Sequence, residues 1–193
     1  MSQQLLLENI EKHVQLTPEE EERVLSSFKP KKIKKKHYLF QEGEVHKNGC
    51  FVMDGCLRSY SIDKNGFEHV LQFAPAGWWV GDMHSALTGA PGILNADAIY
   101  DSEVLLITRA DQEKLYNDIP KIERYFRILS ERALAAFQQR MIGNLSNTAL
   151  ERYNNFCTLY PSLIGILPQK QIASYIGVTP EFLSKMLNGP MSR

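Results

Sequence analysis

The sequence predicts an α+β protein: an N-terminal antiparallel double-stranded β-roll, one long helix, and a small C-terminal domain carrying a winged-helix-like helix-turn-helix. Three observations predict it. Between residues 34 and 107 short apolar runs alternate with Glu42-Gly43-Glu44, Asp54-Gly55, Lys64-Asn65-Gly66 and Pro75-Ala76-Gly77. Asp-Gly and Asn-Gly tolerate positive φ and are hairpin signals, and several short strands at this spacing imply a barrel or sandwich. From Pro120 to about Met141 the apolar residues recur at helical spacing. Residues 169–188 then read QKQIASYIGVTPEFLSKMLN, the packing pattern of two short helices joined at a sharp turn.

The elements follow in order. Residues 2–28 read as helical, with Thr17 as N-cap, Pro18 in the first helical position and Glu20 closing a capping box. The glutamates at 19–22 sit where a helix dipole favours negative charge. The run KPKKIKKK at 29–36 reads as a solvated edge strand blunted by lysines, with contact to DNA phosphates as the competing reading. Strands are expected at 50–53, 56–62, 69–73 and 104–107. The adjacent Trp78 and Trp79 point to opposite faces of a strand. One is expected to pack in the roll, and the other to line a pocket or touch the long helix.

In the long helix Ile122, Phe126, Leu129, Ala133 and Ala136 share one seam, while Leu134, Phe137 and Met141 lie on an adjacent face. Two apolar faces need two partners, the roll and a second copy of the chain. The first seam, with its small alanines, is taken as the dimer contact across a two-fold axis. A single wide core face in a monomer is the competing reading. Three parts result: 1–118, a roll acting as effector or sensor domain; 119–146, the connecting dimerisation helix; and 147–193, the helix-turn-helix.

In that last part Ile172, Ala173 and Ile176 form the inner face of a first helix. Gly177 takes the turn, Val178 fills the angle, and Leu183 and Met186 face inward from a second helix. Thr179 and Pro180 suit its N-cap and first position. The N-terminal half of a second helix in this motif enters the major groove. Thr179, Pro180, Glu181, Ser184 and Lys185 are the outward residues. Glu181 suits cytosine N4 and Lys185 suits guanine O6/N7. Gln169 and Lys170 are placed for phosphates.

The 193 residues are 44% hydrophobic and 23% charged, which excludes collagen-like, disordered and membrane-spanning classes. The net charge is zero, but unevenly spread: −4 over 1–28, +6 over 29–36, −7 over 37–120 and +5 over 121–193. A basic end beside an acidic middle is compatible with a polyanionic partner. Three cysteines without CxxC spacing are neither a disulfide framework nor a zinc signature. Without a signal peptide or membrane span, a cytoplasmic location is expected. No GxSxG, HExxH, P-loop or HxH pattern occurs, so no enzyme activity, metal or cofactor is expected. The alternative is a small-molecule-binding β-barrel, sensor or enzyme, with an incidental helical tail.

A β-roll, a long helix and a C-terminal helix-turn-helix in that order resemble the Crp/Fnr family of transcription regulators over nearly the whole chain. The resemblance implies a cyclic-nucleotide-binding-like domain, a homodimer on a pseudo-palindromic duplex, and RNA polymerase as a further partner. Pro180, Glu181 and Lys185 stand where the family often carries Arg, Glu and Arg, and any wing after the second helix is expected to be short or missing. Gly81-Asp82 matches the Gly-Glu of the family's phosphate-binding cassette. The following MHSALTGAPGILNADA contains no Lys or Arg, so the phosphate-binding Arg is missing and high-affinity cyclic AMP binding is not expected. The effector pocket is assigned to Gly81, Asp82, Met83 and Ser85, with Arg58 reaching in from a neighbouring strand or, in the competing reading, solvated there. An effector of unspecified identity is left open. An iron–sulfur mode needs about four thiolates, more than this chain supplies. His37, His46, His69 and His84 read as surface or hydrogen-bonded residues rather than haem ligands.

Overall fold

The computed structural model describes residues 3–189. Two helices lead: α1 (Gln4–Glu11) and α2 (Pro18–Ser26). The capping box forms at α2, where Thr17 Oγ1 accepts from the Glu20 N–H at 3.3 Å and Glu20 Oε2 accepts from the Thr17 N–H at 2.8 Å. Eight strands follow: β1 (Lys29–Ile33), β2 (Tyr38–Phe40), β3 (Asn48–Asp54), β4 (Cys56–Ile62), β5 (Glu68–Pro75), β6 (Trp79–Val80), β7 (Asn95–Ala98) and β8 (Ser102–Thr108). A short helix, α3 (Met83–Thr88), lies between β6 and β7. Then come α4 (Arg109–Asp118), α5 (Pro120–Ser146), α6 (Ala149–Leu159), α7 (Gln169–Ile176) and α8 (Pro180–Asn188). No helix among the described residues is long and apolar enough to cross a membrane.

The strands form two four-stranded sheets, ordered β1-β8-β3-β6 and β2-β7-β4-β5. The lysine-rich β1 is an edge strand, as the charge run predicts, with Lys32 paired to Glu103 at 2.9 Å. Strand alternation sorts the apolar side chains into two cores. Cys50 and Val52 of β3 and Val104 of β8 face inward, meeting Phe40, Leu57, Ala74, Ala96 and Ala98 of the other sheet. Phe51, Leu105 and Ile107 face the other way, into a second core with Leu6, Ile10, Val24, Leu115, Ile119 and Ile122 from the helices. The Asp54-Gly55 turn brings β3 back as β4. Gly55 has φ 85°, and a Cβ there would overlap Ser102 and Asp101, so this position needs glycine.

The chain divides into two compact units, one of residues up to 61 with 71–131, the other of 62–70 with 132 onward. The division falls inside α5, and the tip of the β4–β5 hairpin joins the C-terminal unit. In the first unit Trp78 packs against the inter-sheet core, while Trp79 meets the long helix. The Trp79 indole N–H donates to Tyr125 Oη at 2.9 Å, Tyr125 donates to Asn9 Oδ1 at 2.7 Å, and the Asn9 amide donates to the Gly77 carbonyl at 3.0 Å.

This packing corrects the expected dimer seam. Ile122 is 1% exposed in the helix-and-sheet core, and Phe126 and Leu129 pack against that same core. Their seam faces the chain's own core, which buries Ile122 and half-buries Phe126 and Leu129. Ala133 and Ala136 lie where α5 is exposed on all sides, from Ser130 to Gln139. The large apolar residues exposed along α5 are Leu134, Phe137, Met141, Ile142 and Leu145.

Candidate nucleic-acid interface and effector site

In the C-terminal unit the first helix of the motif buries Ile172, Ala173 and Ile176. Gly177 follows with φ 73°, the left-handed conformation that ends a helix sharply. The Val178 N–H then donates to the Ala173 carbonyl at 3.0 Å. Thr179 caps the second helix, its hydroxyl accepting from the Phe182 N–H at 3.2 Å, with Pro180 in the first turn. Leu183 is fully buried beneath that helix, and Val178 and Met186 are half-buried. An aromatic cluster of Phe156, Tyr160 and Tyr175 supports α7 from α6.

The structure brings Pro180, Glu181, Ser184 and Lys185 together along one shallow groove, joined by Asn188. Thr179 is exposed at the head of that helix, and Gln169 and Lys170 are exposed in the first turn of α7. Sequence reasoning missed Asn188 and Phe182, the latter 53% exposed on the second helix. A helical projection extended over the whole second helix carries the signal for both.

Sequence reasoning also missed two arginines that fix the motif. Arg140 donates to the carbonyls of Val70 and Tyr175 at 2.9 and 2.8 Å and stacks on the Tyr175 ring at 4.0 Å. Arg152 donates to the Ile176 and Asn147 carbonyls at 2.8 and 2.9 Å. Ser174 accepts from the Val70 N–H at 2.9 Å and donates to the Glu68 carbonyl at 2.5 Å. The hairpin tip and α7 are thus tied within one unit. A wing after the second helix falls outside the described residues.

The assigned effector residues are placed differently from expectation. Asp82 is 1% exposed and caps α3 through Oδ1, which accepts from the Ser85 N–H at 3.0 Å. Its Oδ2 accepts from the Ile93 and Leu94 N–H groups at 3.0 and 3.2 Å. Three backbone donors therefore hold this buried carboxylate in place. Ser85 is fully buried, accepting from the His46 N–H at 2.8 Å and donating to the Ala90 carbonyl at 2.7 Å. Met83 is 62% exposed, and Gly81 packs against the His46 ring. Burial holds His46 below its ordinary value of 6.5, a shift opposed by the nearby Asp82 carboxylate.

Arg58 is neither solvated nor open to a ligand. It is buried and bidentate to Asp97, with Nε 2.8 Å from Oδ1 and Nη2 2.9 Å from Oδ2. Its guanidinium stacks 4.2 Å from the centre of the Tyr60 ring. This cluster lies on the sheet face opposite Leu57, Ala96 and Ala98, because side chains alternate along β4 and β7. Asn95, the register partner of Tyr60, accepts from the Glu42 N–H at 3.1 Å while its buried Nδ2 has no partner. Cys50 and Cys56 are buried thiols, and burial pushes Cys56 up to about 12. No group of three or more potential metal ligands occurs among the described residues.

Comparisons with known proteins agree with this geometry. Residues 30–118 match the family described as Cyclic nucleotide-binding domain. The chain is 26% identical over 178 residues to the Fumarate and nitrate reduction regulatory protein of Vibrio cholerae, covering 86% of this chain and 69% of that one. FixK2 from Bradyrhizobium japonicum superposes with a TM-score of 0.72 at 22% identity, over 83% of this chain and 82% of its own. The Catabolite Activator Protein of Thermus thermophilus gives 0.58 at 23% identity, over 89% and 82%. The c-di-GMP responsive global regulator CLP of Xanthomonas campestris gives 0.72 at 14% identity, over 91% and 92%. With a match to the cyclic nucleotide-binding domain over 30–118, a regulator as curated relative, and this order of roll, long helix and helix-turn-helix, the chain is similar to the Crp/Fnr family of transcription regulators.

Proposed function

We propose that the chain is a dimeric, sequence-specific DNA-binding regulator in which two copies of α8 read a pseudo-palindromic duplex. The observation that carries this reading is the turn at Gly177, followed by the capped α8 with Pro180, Glu181, Ser184, Lys185 and Asn188 along one groove. A left-handed glycine and an N-capped second helix set that helix at an angle to the first, as groove entry needs. Glu181 and Lys185 supply base-edge contacts; Gln169, Lys170, Thr179 and Ser184 hold phosphates. In this reading residues 1–118 act as sensor or scaffold, 119–146 as connector, and 147–193 as reader. RNA polymerase is the partner downstream of DNA, and the cytoplasm is the site of action.

The effector pocket is degenerate in this reading. The cassette carboxylate of Asp82 is buried and held by three backbone donors, and the one arginine of that sheet face is paired with Asp97. Neither group is available to a cyclic nucleotide. The test is fluorescence anisotropy of a duplex selected by the full chain, titrated at several salt concentrations with and without cyclic AMP. Affinity is expected to fall at least about a hundredfold between roughly 50 and 200 mM salt. Cyclic AMP is expected to leave it unchanged. Absence of salt-sensitive binding contradicts the DNA reading, and a cyclic-AMP-dependent gain contradicts the pocket reading.

A further inference from the structure

Phe182 is the one large hydrophobic residue of α8 that is exposed, at 53%, although the helix has a fully buried apolar face at Leu183. Its backbone N–H is fixed by the Thr179 cap, so the side chain leaves the first turn of the helix in a set direction. At 100° per residue it stands a quarter turn from the buried side and about 60° from Lys185, which follows it at i+3. Phe182 therefore stands between Lys185 and the half-buried Met186, at the Lys185 margin of the face that carries Glu181 and Asn188 and outside the residues that line the groove.

An aromatic ring in this position has no hydrogen-bonding atom to offer a phosphate or a base edge. The apolar group the major groove displays is the thymine 5-methyl, and phenylalanine is among the side chains that contact it. We infer that Phe182 is a specificity-determining residue, reading a thymine methyl beside the bases met by Glu181 and Lys185. This rests on the DNA-reading function proposed above. It also assigns the recognition helix a mixed code, with a carboxylate for cytosine, an ammonium for guanine and a ring for thymine.

The experiment uses the full chain. Duplexes are selected from a random pool, and the tightest is resynthesised with each thymine in turn replaced by uracil, which lacks only the 5-methyl group. At one thymine in each half-site the replacement is expected to weaken wild-type binding about fourfold, the effect of one buried methyl. Phe182→Ala is expected to bind the thymine and uracil duplexes equally while keeping its salt dependence. Phe182→Leu, still apolar, keeps part of the preference. Wild-type indifference to every uracil, or an undiminished thymine preference in Phe182→Ala, overturns the inference alone. Failure to select any duplex overturns the DNA reading and the inference with it.

Discussion

Arg58 and Asp97 show how a charge pair can close a site instead of serving it. Both are buried and bound in two parallel hydrogen bonds, with Tyr60 stacked on the guanidinium. Removing one member leaves the other charged and desolvated. Arg58→Ala is expected to cost about 3–5 kcal/mol, measured by urea denaturation, and the double variant Arg58→Ala/Asp97→Ala is expected to recover part of that loss. A double variant no more stable than the single one contradicts the pairing. His46 gives a second prediction. Its folded value is depressed, so between that value and its ordinary 6.5 the unfolded chain binds more protons than the folded one. Stability from this group is therefore present above 6.5 and falls as the pH drops towards the depressed value. His46→Gln is expected to flatten the decline in urea midpoint between about pH 7.5 and about pH 5.5. These facts were hidden in the sequence. Arg58 and Asp97 are far apart in the chain and meet through a strand register, and nothing local marks β7, Asn95-Ala96-Asp97-Ala98, as a buried strand.

Among the elements, those whose limits are set by local chemistry were legible. The Thr17–Glu20 capping box, the Asp54-Gly55 turn and the Gly177–Thr179 corner each formed where the residues predict them. The strand 56–62 was legible too, bounded by the Gly55 and Lys64-Asn65-Gly66 turns. The two-residue β6 and the three-residue β2 were not, being too short to show alternation. In α5 the periodicity correctly showed two apolar faces, but periodicity has no sign: it does not say which face meets the roll. Packing decided that Ile122, Phe126 and Leu129 go inward. What remains is Leu134, Phe137, Met141 and Leu145, all exposed and spaced three and four residues apart, the first two on the stretch exposed all round. Such a stripe suits a parallel helix from a second chain. Leu134→Glu with Phe137→Glu is expected to turn a dimer into a monomer in sedimentation equilibrium with unchanged circular dichroism. A dimer that survives both substitutions contradicts this seam.

At the scale of the whole molecule, charge is divided between the parts of the chain. The −7 over 37–120 shares the roll with the +6 over 29–36, which supplies its edge strand β1, so the roll is nearly neutral, and the +5 over 121–193 belongs largely to the long helix. That excess is modest, so on the proposed reading non-specific attraction to DNA is modest too, and affinity is expected to come from placing two copies of α8 at once. Dimerisation through α5 and groove entry by α8 are therefore one claim rather than two. Hydroxyl-radical and major-groove footprinting on a selected duplex tests it most directly. The expected pattern is two symmetric major-groove protections about 10 base pairs apart, produced by two chains per duplex. A single protected patch, one chain per duplex, or no protection at all would contradict it.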